Sequence, residues 1–212
     1  MAKPGSPASL TPQQIAEAAL ALGDRIGIEN VSVRKLAAEL GKTPMALYTY
    51  FPSVKHIHEA VLELAFKEVD ADPIPGERWD DTMRRTMRSI RAMYHNHLNC
   101  HLIKAEGFGY SPGMQEHTAR IYRLHEEQGI PPEILRRAWQ VIDAFLGGFI
   151  SAETDELTEN PSKPEANGRV WMETAKHAYS DQAFDEGMEI ILAGIRSIAA
   201  PDPCEWRTPI KA

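Results

Sequence analysis

Apolar positions at helical spacing organise this chain, and the elements they predict are all helices. Ile15, Ala18, Ala19, Leu22 and Ile26 fall at i, i+3, i+4, i+7 and i+11, one buried face of a first helix. Thr11-Pro12-Gln13-Gln14 supplies its start: Thr11 as N-cap, Pro12 at the first helical position, and Gln14 placed to close a capping box. Gly27 ends it. Ser32 caps a second helix with Val33, Leu36, Ala37 and Leu40 as its buried stripe, and Gly41 turns the chain. Thr43-Pro44 repeats the cap-plus-proline start and opens a third helix too short to stand alone, which Leu47 and Phe51 must hold against the first two. A fourth helix starts at Ser53, carries Ile57, Ala60, Val61 and Leu64 on one face, and runs to about Val69.

Two prolines and a glycine at 71–76 exclude helix, which predicts a hinge and a domain boundary there. The helical pattern resumes at Trp79 with Met83, Met87, Ile90 and Tyr94 on one face, and a glycine-rich stretch at 107–113 breaks it. Further helices are predicted at about 114–128, 133–153 and 181–199, with an acidic loop at 154–168. The 133–153 helix is apolar on more than one side and therefore needs several neighbours. Ile142, Leu146 and Phe149 on it, with Met188, Ile191 and Ile195 on the last helix, fit a four-helix homodimer interface. The same pattern fits the core of a single chain. The predicted fold class is all-α: a disordered N-terminus (1–10), a helix-turn-helix domain with its connecting helix (11–70), a helical ligand-binding and dimerisation domain (77–200), and a C-terminal tail (201–212).

Composition narrows the setting. At 212 residues with 43% hydrophobic content the chain can bury a real core, and no window approaches the apolar run that a membrane span needs. The first ten residues lack the apolar stretch of a signal peptide, which predicts a cytoplasmic protein with no membrane partner. Two cysteines, Cys100 and Cys204, suggest neither a disulfide framework nor a thiolate metal site. The net charge of −7 argues against a non-specific nucleic-acid coat. Up to residue 56, however, six lysines and arginines face four acidic residues, a mildly basic head on an acidic body.

The two short helices joined across residues 40–44 follow the grammar of a helix-turn-helix DNA reader. Met45, Tyr48 and Thr49 are left on the outer face of the third helix. There a methionine or threonine methyl can meet a thymine methyl, and a tyrosine hydroxyl can bond a phosphate. The run LAAELGKTPMALYTYFPS resembles the DNA-binding domain of the TetR family of one-component repressors, over roughly residues 11–63. The resemblance implies that Arg34 contacts DNA from the supporting helix and that Pro44, Met45, Ala46, Tyr48, Thr49 and Tyr50 lie on the recognition helix, with Thr43 and Lys55 beside them. One position departs from the family pattern: Val54 follows Ser53 where a lysine is usual, and Lys55 comes one step later.

More loosely, ERWDDTMRRTMRSIRAMYHNH, GIPPEILRRAWQVIDAFLGGFISAE and FDEGMEIILAGI resemble the ligand-binding domain of the tetracycline-repressor branch. That resemblance implies an all-helical regulatory domain, a homodimer, and a small-molecule effector bound among the middle helices. Met83, Met87, Tyr94, Phe108, Tyr110, Tyr122, Trp139 and Phe145 are candidate lining residues, because soft and aromatic side chains adapt to apolar ligands. His97 and His101 join that list as pocket residues; their i, i+4 spacing also makes them weak candidates for a divalent metal. No cofactor and no catalytic residue are expected, since phosphate loops and nucleophile elbows are missing. The function expected is a ligand-responsive transcriptional regulator, a repressor that releases double-stranded operator DNA when its effector binds. The alternatives are a helical metal-binding enzyme and a small-molecule binding protein without a DNA role, each built on His97 and His101.

Overall fold

Thr11 caps the first helix in the predicted way: its hydroxyl accepts from the Gln14 backbone N–H while the Gln14 side chain accepts from the Thr11 N–H. The computed structural model describes residues 10–97, 99–103, 111–158, 179–199 and 206–210. Helices α1 (Pro12–Ile26), α2 (Val33–Glu39), α3 (Pro44–Tyr48) and α4 (Val54–Ala65) come first, followed by α5 (Trp79–Asn96), α6 (Pro112–Glu127), α7 (Pro132–Thr158) and α8 (Asp181–Ile198). Short 3₁₀ turns at Ile28–Asn30, Phe66–Glu68 and Cys100–Leu102 bend the chain between helices. No strand occurs among the described residues; Arg78 and Arg207 form an isolated antiparallel bridge.

The chain divides into two compact units: Met1–Glu68 with Met93–Glu116, and Val69–Ala92 with His117–Ala212. In the first, α1 packs on α4, and Ile15, Ala19, Leu22, Leu36, Ala37, Leu47, Ile57 and Val61 form a wholly apolar core with Cys100. Burying these side chains, at about 1.5–3 kcal/mol for each large one, is what holds helices as short as α2 and α3. In the second unit α7 packs on α8 around Phe184, which touches Phe145 and Phe149 ring to ring at 5.5 and 5.3 Å. Gly187 makes that approach possible, since a Cβ there would stand 2.6 Å from the Phe145 ring.

Three expectations need correction. The predicted hinge at 71–76 is held by bonds, not loose. Arg85 donates to the Asp70 side chain and to the backbone carbonyls of Asp70 and Asp72, and it also grips Glu77. The backbone of 76–79 pairs with the tail through Gly76 N–H to Thr208 O, Thr208 N–H to Glu77 O and Trp79 N–H to Trp206 O. Helix α7 runs five residues beyond the expected end at 153, because Glu153 is anchored by Arg91 and does not start a loop. What remains of the expected loop, 159–168, lies outside the described residues, as do residues 1–9. Finally, Ile142, Leu146, Phe149, Met188 and Ile195 are buried within their own chain, and Ile191 half-buried. The first five are therefore covered within a single chain, while part of Ile191 stays accessible.

Candidate functional site

The head builds a reading surface from local rules. Ser32 caps α2 by accepting from Lys35 N–H, Gly41 takes a left-handed turn at φ 62°, and Thr43 caps α3 by accepting from Ala46 N–H. Pro44 fills the first position of α3, and Leu47, fully buried, pins this five-residue helix to the core. With that one side facing inward, the opposite side must project outward. Met45 is 73% and Tyr48 45% exposed, and Tyr50 and Thr49 are exposed beside them, with the Thr49 hydroxyl donating to Met45 O at 3.3 Å. Thr43 is exposed, and Pro44 and Ala46 are half-buried. The helix stops at Tyr48, so Thr49 and Tyr50 sit in the turn after it.

Among the described residues Arg34 is exposed with no hydrogen-bond or ion-pair partner. Its neighbour Lys35 is tied by its ammonium to Asn30 O at 3.0 Å. Val54, at the position where the resemblance leads one to look for lysine, packs partly buried against the head core, whereas Lys55 is exposed. Packing thus fills the position on which a cation would have depended. A cation, an exposed hydroxyl-bearing surface and projecting methyl groups are together able to bond phosphate oxygens and meet base edges in a groove.

The candidate cavity residues fall in both units. Tyr94 lies edge-on to Phe66 at 6.0 Å in the first unit, and Met83 and Met87 are fully buried in the second. Phe145 belongs to the Phe149–Phe184 cluster. Phe108 and Tyr110 lie outside the described residues. Tyr122 and Trp139 do meet, stacked at 6.3 Å.

His97 and His101 are separated in character. Helix α5 ends at Asn96, Asn99 turns left-handed at φ 61°, and His101 falls in the 3₁₀ turn, so the i, i+4 pair never shares a helical face. His97 is buried with Nδ1 3.0 Å from Asp24 and Nε2 3.0 Å from Glu68, which engages both ring nitrogens. Cys100 beside it is an inert thiol, pushed up to about 12 by burial and by the Asp24 charge.

Residues that carried no sequence signal dominate the second unit. Burial alone would raise the Asp80 carboxyl, but hydrogen bonds from Arg196 and Arg78 outweigh it and hold the group at about 2. Arg91 is sandwiched between Glu153, Asp181 and the Phe184 ring, which its guanidinium overlies at 4.7 Å. Gln128 donates to the hydroxyls of Thr82 at 2.7 Å and Thr208 at 3.0 Å, leaving its carbonyl oxygen 2.9 Å from His125 Nδ1. Burial pushes His125 down to about 4 despite that bond, and its ring lies 5.9 Å from Trp139. Among the described residues neither His125 Nε2 nor Trp139 Nε1 has a hydrogen-bond partner. Asp143, one turn after Trp139, is pushed up to about 6 by burial.

Two family models match the chain. Residues 15–61 match "Bacterial regulatory proteins, tetR family", and residues 72–198 match "Tetracyclin repressor-like, C-terminal domain". The class A tetracycline repressor from transposon 1721 of Escherichia coli is 26% identical over 203 residues, 88% of this chain and 90% of that protein. The transcriptional repressor DrrR1 of Streptomyces coeruleorubidus is 25% identical over 145 residues, 68% of this chain but only 54% of its own length. The Streptomyces coelicolor TetR family protein ActR, solved with actinorhodin, superposes with a TM-score of 0.76 at 23% identity, covering 92% of this chain and 99% of that one.

Proposed function

Since the chain belongs to the tetR family of bacterial regulatory proteins, we propose that it is a ligand-responsive transcriptional regulator, a repressor that a small molecule releases from operator DNA. The observation that carries this reading is the side of α3 opposite Leu47, where Met45 and Tyr48 are exposed on a helix too short to need them. A free-standing domain gains nothing by exposing such side chains, and a major groove gives them partners. Arg34 supplies a phosphate-seeking charge nearby, and Thr43, Pro44, Ala46, Thr49, Tyr50 and Lys55 complete the DNA-facing set.

Binding as a homodimer would set two such helices about one turn of DNA apart, roughly 34–36 Å. The faces of α7 and α8 that are not used within the chain support a partner copy. Val141 is 55% and Ile190 74% exposed, with Gly147, Gly148 and Gly194 leaving open space beside them. Residues 11–70 act as the reader in this proposal and residues 77–200 as the effector and dimer domain. An effector favouring a spacing of the two readers that does not fit the operator would shift the population off DNA.

No enzymatic step enters this reading, and the metal-enzyme alternative loses its footing with both nitrogens of His97 engaged by carboxylates. No helix among the described residues is long and apolar enough to cross a membrane, and a regulator of this kind acts in the cytoplasm. Gel shift with DNA from upstream of its own gene tests the proposal. The wild type should give a sequence-specific, salt-dependent shift that Arg34→Ala and Tyr48→Ala weaken. A shift indifferent to sequence would sink it.

A further inference from the structure

The side of α3 that faces away from Leu47 lacks the side chains that usually read bases by hydrogen bonds. In a major groove guanine is met by Arg or Lys, adenine by Asn or Gln and cytosine by Glu or Asp, whereas the C5 methyl of thymine takes an apolar contact. Residues 44–50, PMALYTY, hold none of those six hydrogen-bonding residue types. The charges lie on either side of them in the chain: Arg34 on α2, Lys42 in the turn before α3 and Lys55 on α4, all exposed. Long cations flanking the reading helix suit phosphate oxygens, which fix the register without choosing a sequence.

Hydroxyls are what this surface has in place of those groups, and two of them are committed to the helix itself. Thr43 Oγ1 accepts from the Ala46 N–H at 3.4 Å, and Thr49 Oγ1 donates to Met45 O at 3.3 Å. The single hydroxyl hydrogen of Thr49 is thereby spent. With its oxygen turned to the backbone, the part of this exposed side chain left to meet a base is its methyl. Met45, largely exposed, adds a thioether and a terminal methyl. A base edge pressed against these two loses water; a polar edge finds no bond in exchange, and a methyl gains by the loss.

Resting on the regulator reading above, we infer that the operator is read through thymine C5 methyl groups, with Met45 and Thr49 as the side chains that choose the sequence. Tyr48 and Tyr50 hold phosphates alongside Arg34. The surface reads the methyl and not the base that carries it, so 5-methylcytosine stands in partly for thymine where cytosine does not.

The test uses the full chain. Its preferred DNA is selected from a random duplex library, and each thymine of the half-site is then replaced by uracil, which removes the methyl alone, in competition gel shifts. At two or more positions uracil should weaken binding at least about three-fold, and there 5-methylcytosine should be bound at least about two-fold tighter than cytosine. Met45→Ala should erase the uracil penalty at one of these positions. Thr49→Ser, which keeps the hydroxyl and drops the methyl, should erase it at another, whereas Thr49→Val, which keeps a methyl and drops the hydroxyl, should retain it. Both side chains are exposed, so these variants should fold as the wild type does. Uracil bound as tightly as thymine throughout, a penalty unchanged in both Met45→Ala and Thr49→Ser, or a penalty lost in Thr49→Val and kept in Thr49→Ser would overturn the inference. The two readings fail differently: a wild type that selects a sequence without any methyl penalty defeats only the manner of reading, whereas one that selects no sequence defeats the regulator and this inference with it.

Discussion

The two units solve the problem of stability with different chemistry. The first encloses a core of aliphatic side chains and keeps most of its polar groups at caps and turns, with His97 the one buried polar residue on its side among those described. The second buries Asp80, Thr82, Thr86, His125, Gln128, Glu153 and Thr208 among its aromatics. Apolar packing is tolerant of direction and gives a rigid platform, as a surface that must present α3 in one orientation requires. A polar interior is specific and conditional. Each group depends on a partner far away in sequence, as Gln128 does on Thr82 and Thr208, and that suits a region whose state must answer to what is bound there.

The comparison can be broken most forcefully at Leu47. Leu47→Ala should cost about 4 kcal/mol and abolish the gel shift, since this one side chain anchors α3; a urea midpoint close to wild type would mean the head is not held by its apolar core. Next comes the pH response of the second unit. His125 has a folded pKa of about 4 against an ordinary 6.5, so the unfolded chain binds its proton first as pH falls. Its contribution is therefore complete above pH 6.5, drains away between 6.5 and 4, and changes no further below 4. The difference between wild type and His125→Phe should shift by up to about 3 kcal/mol across that window in denaturant titrations, and a constant difference would show that the ring is not buried neutral. Glu153→Ala, which leaves Arg91 with the exposed Asp181 as its carboxylate, should cost about 2 kcal/mol in thermal melts. Thr11→Ala removes a cap and should cost about 1 kcal/mol. Smallest of all, Arg34→Ala should leave the melting temperature unchanged while it weakens DNA binding, which separates the reading surface from the platform beneath it.

The same contrast explains what could be read in the chain beforehand. Thr11, Ser32, Gly41, Thr43 and Pro44 act within four residues of themselves, so α1, α2 and α3 and the outward pose of Met45 and Tyr48 were legible from spacing alone. Arg85 reaches back to Asp70, Arg196 to Asp80 and Gln128 on to Thr208, and no local pattern encodes a partner 15, 116 or 80 positions away. This is why the stretch at 71–76 looked like a hinge. The expected dimer residues show a related limit: periodicity marks which face of a helix is apolar, but not whether the chain itself or another copy covers it. Of the expected cavity set Tyr122 and Trp139 stack on each other, and their polar companion His125 had nothing in its neighbourhood to announce it.

The tail that bonds to 76–79 also sets the order of events during synthesis. Trp206 packs on Trp79 at 5.7 Å, and Thr208 takes a hydrogen bond from the Gln128 amide that fixes the His125 ring. A nascent chain can complete its head as soon as the first unit has left the ribosome, but the second unit cannot close until residues 206–210 have followed. A regulator made this way completes its reading head before the unit that pairs two such heads and answers to an effector.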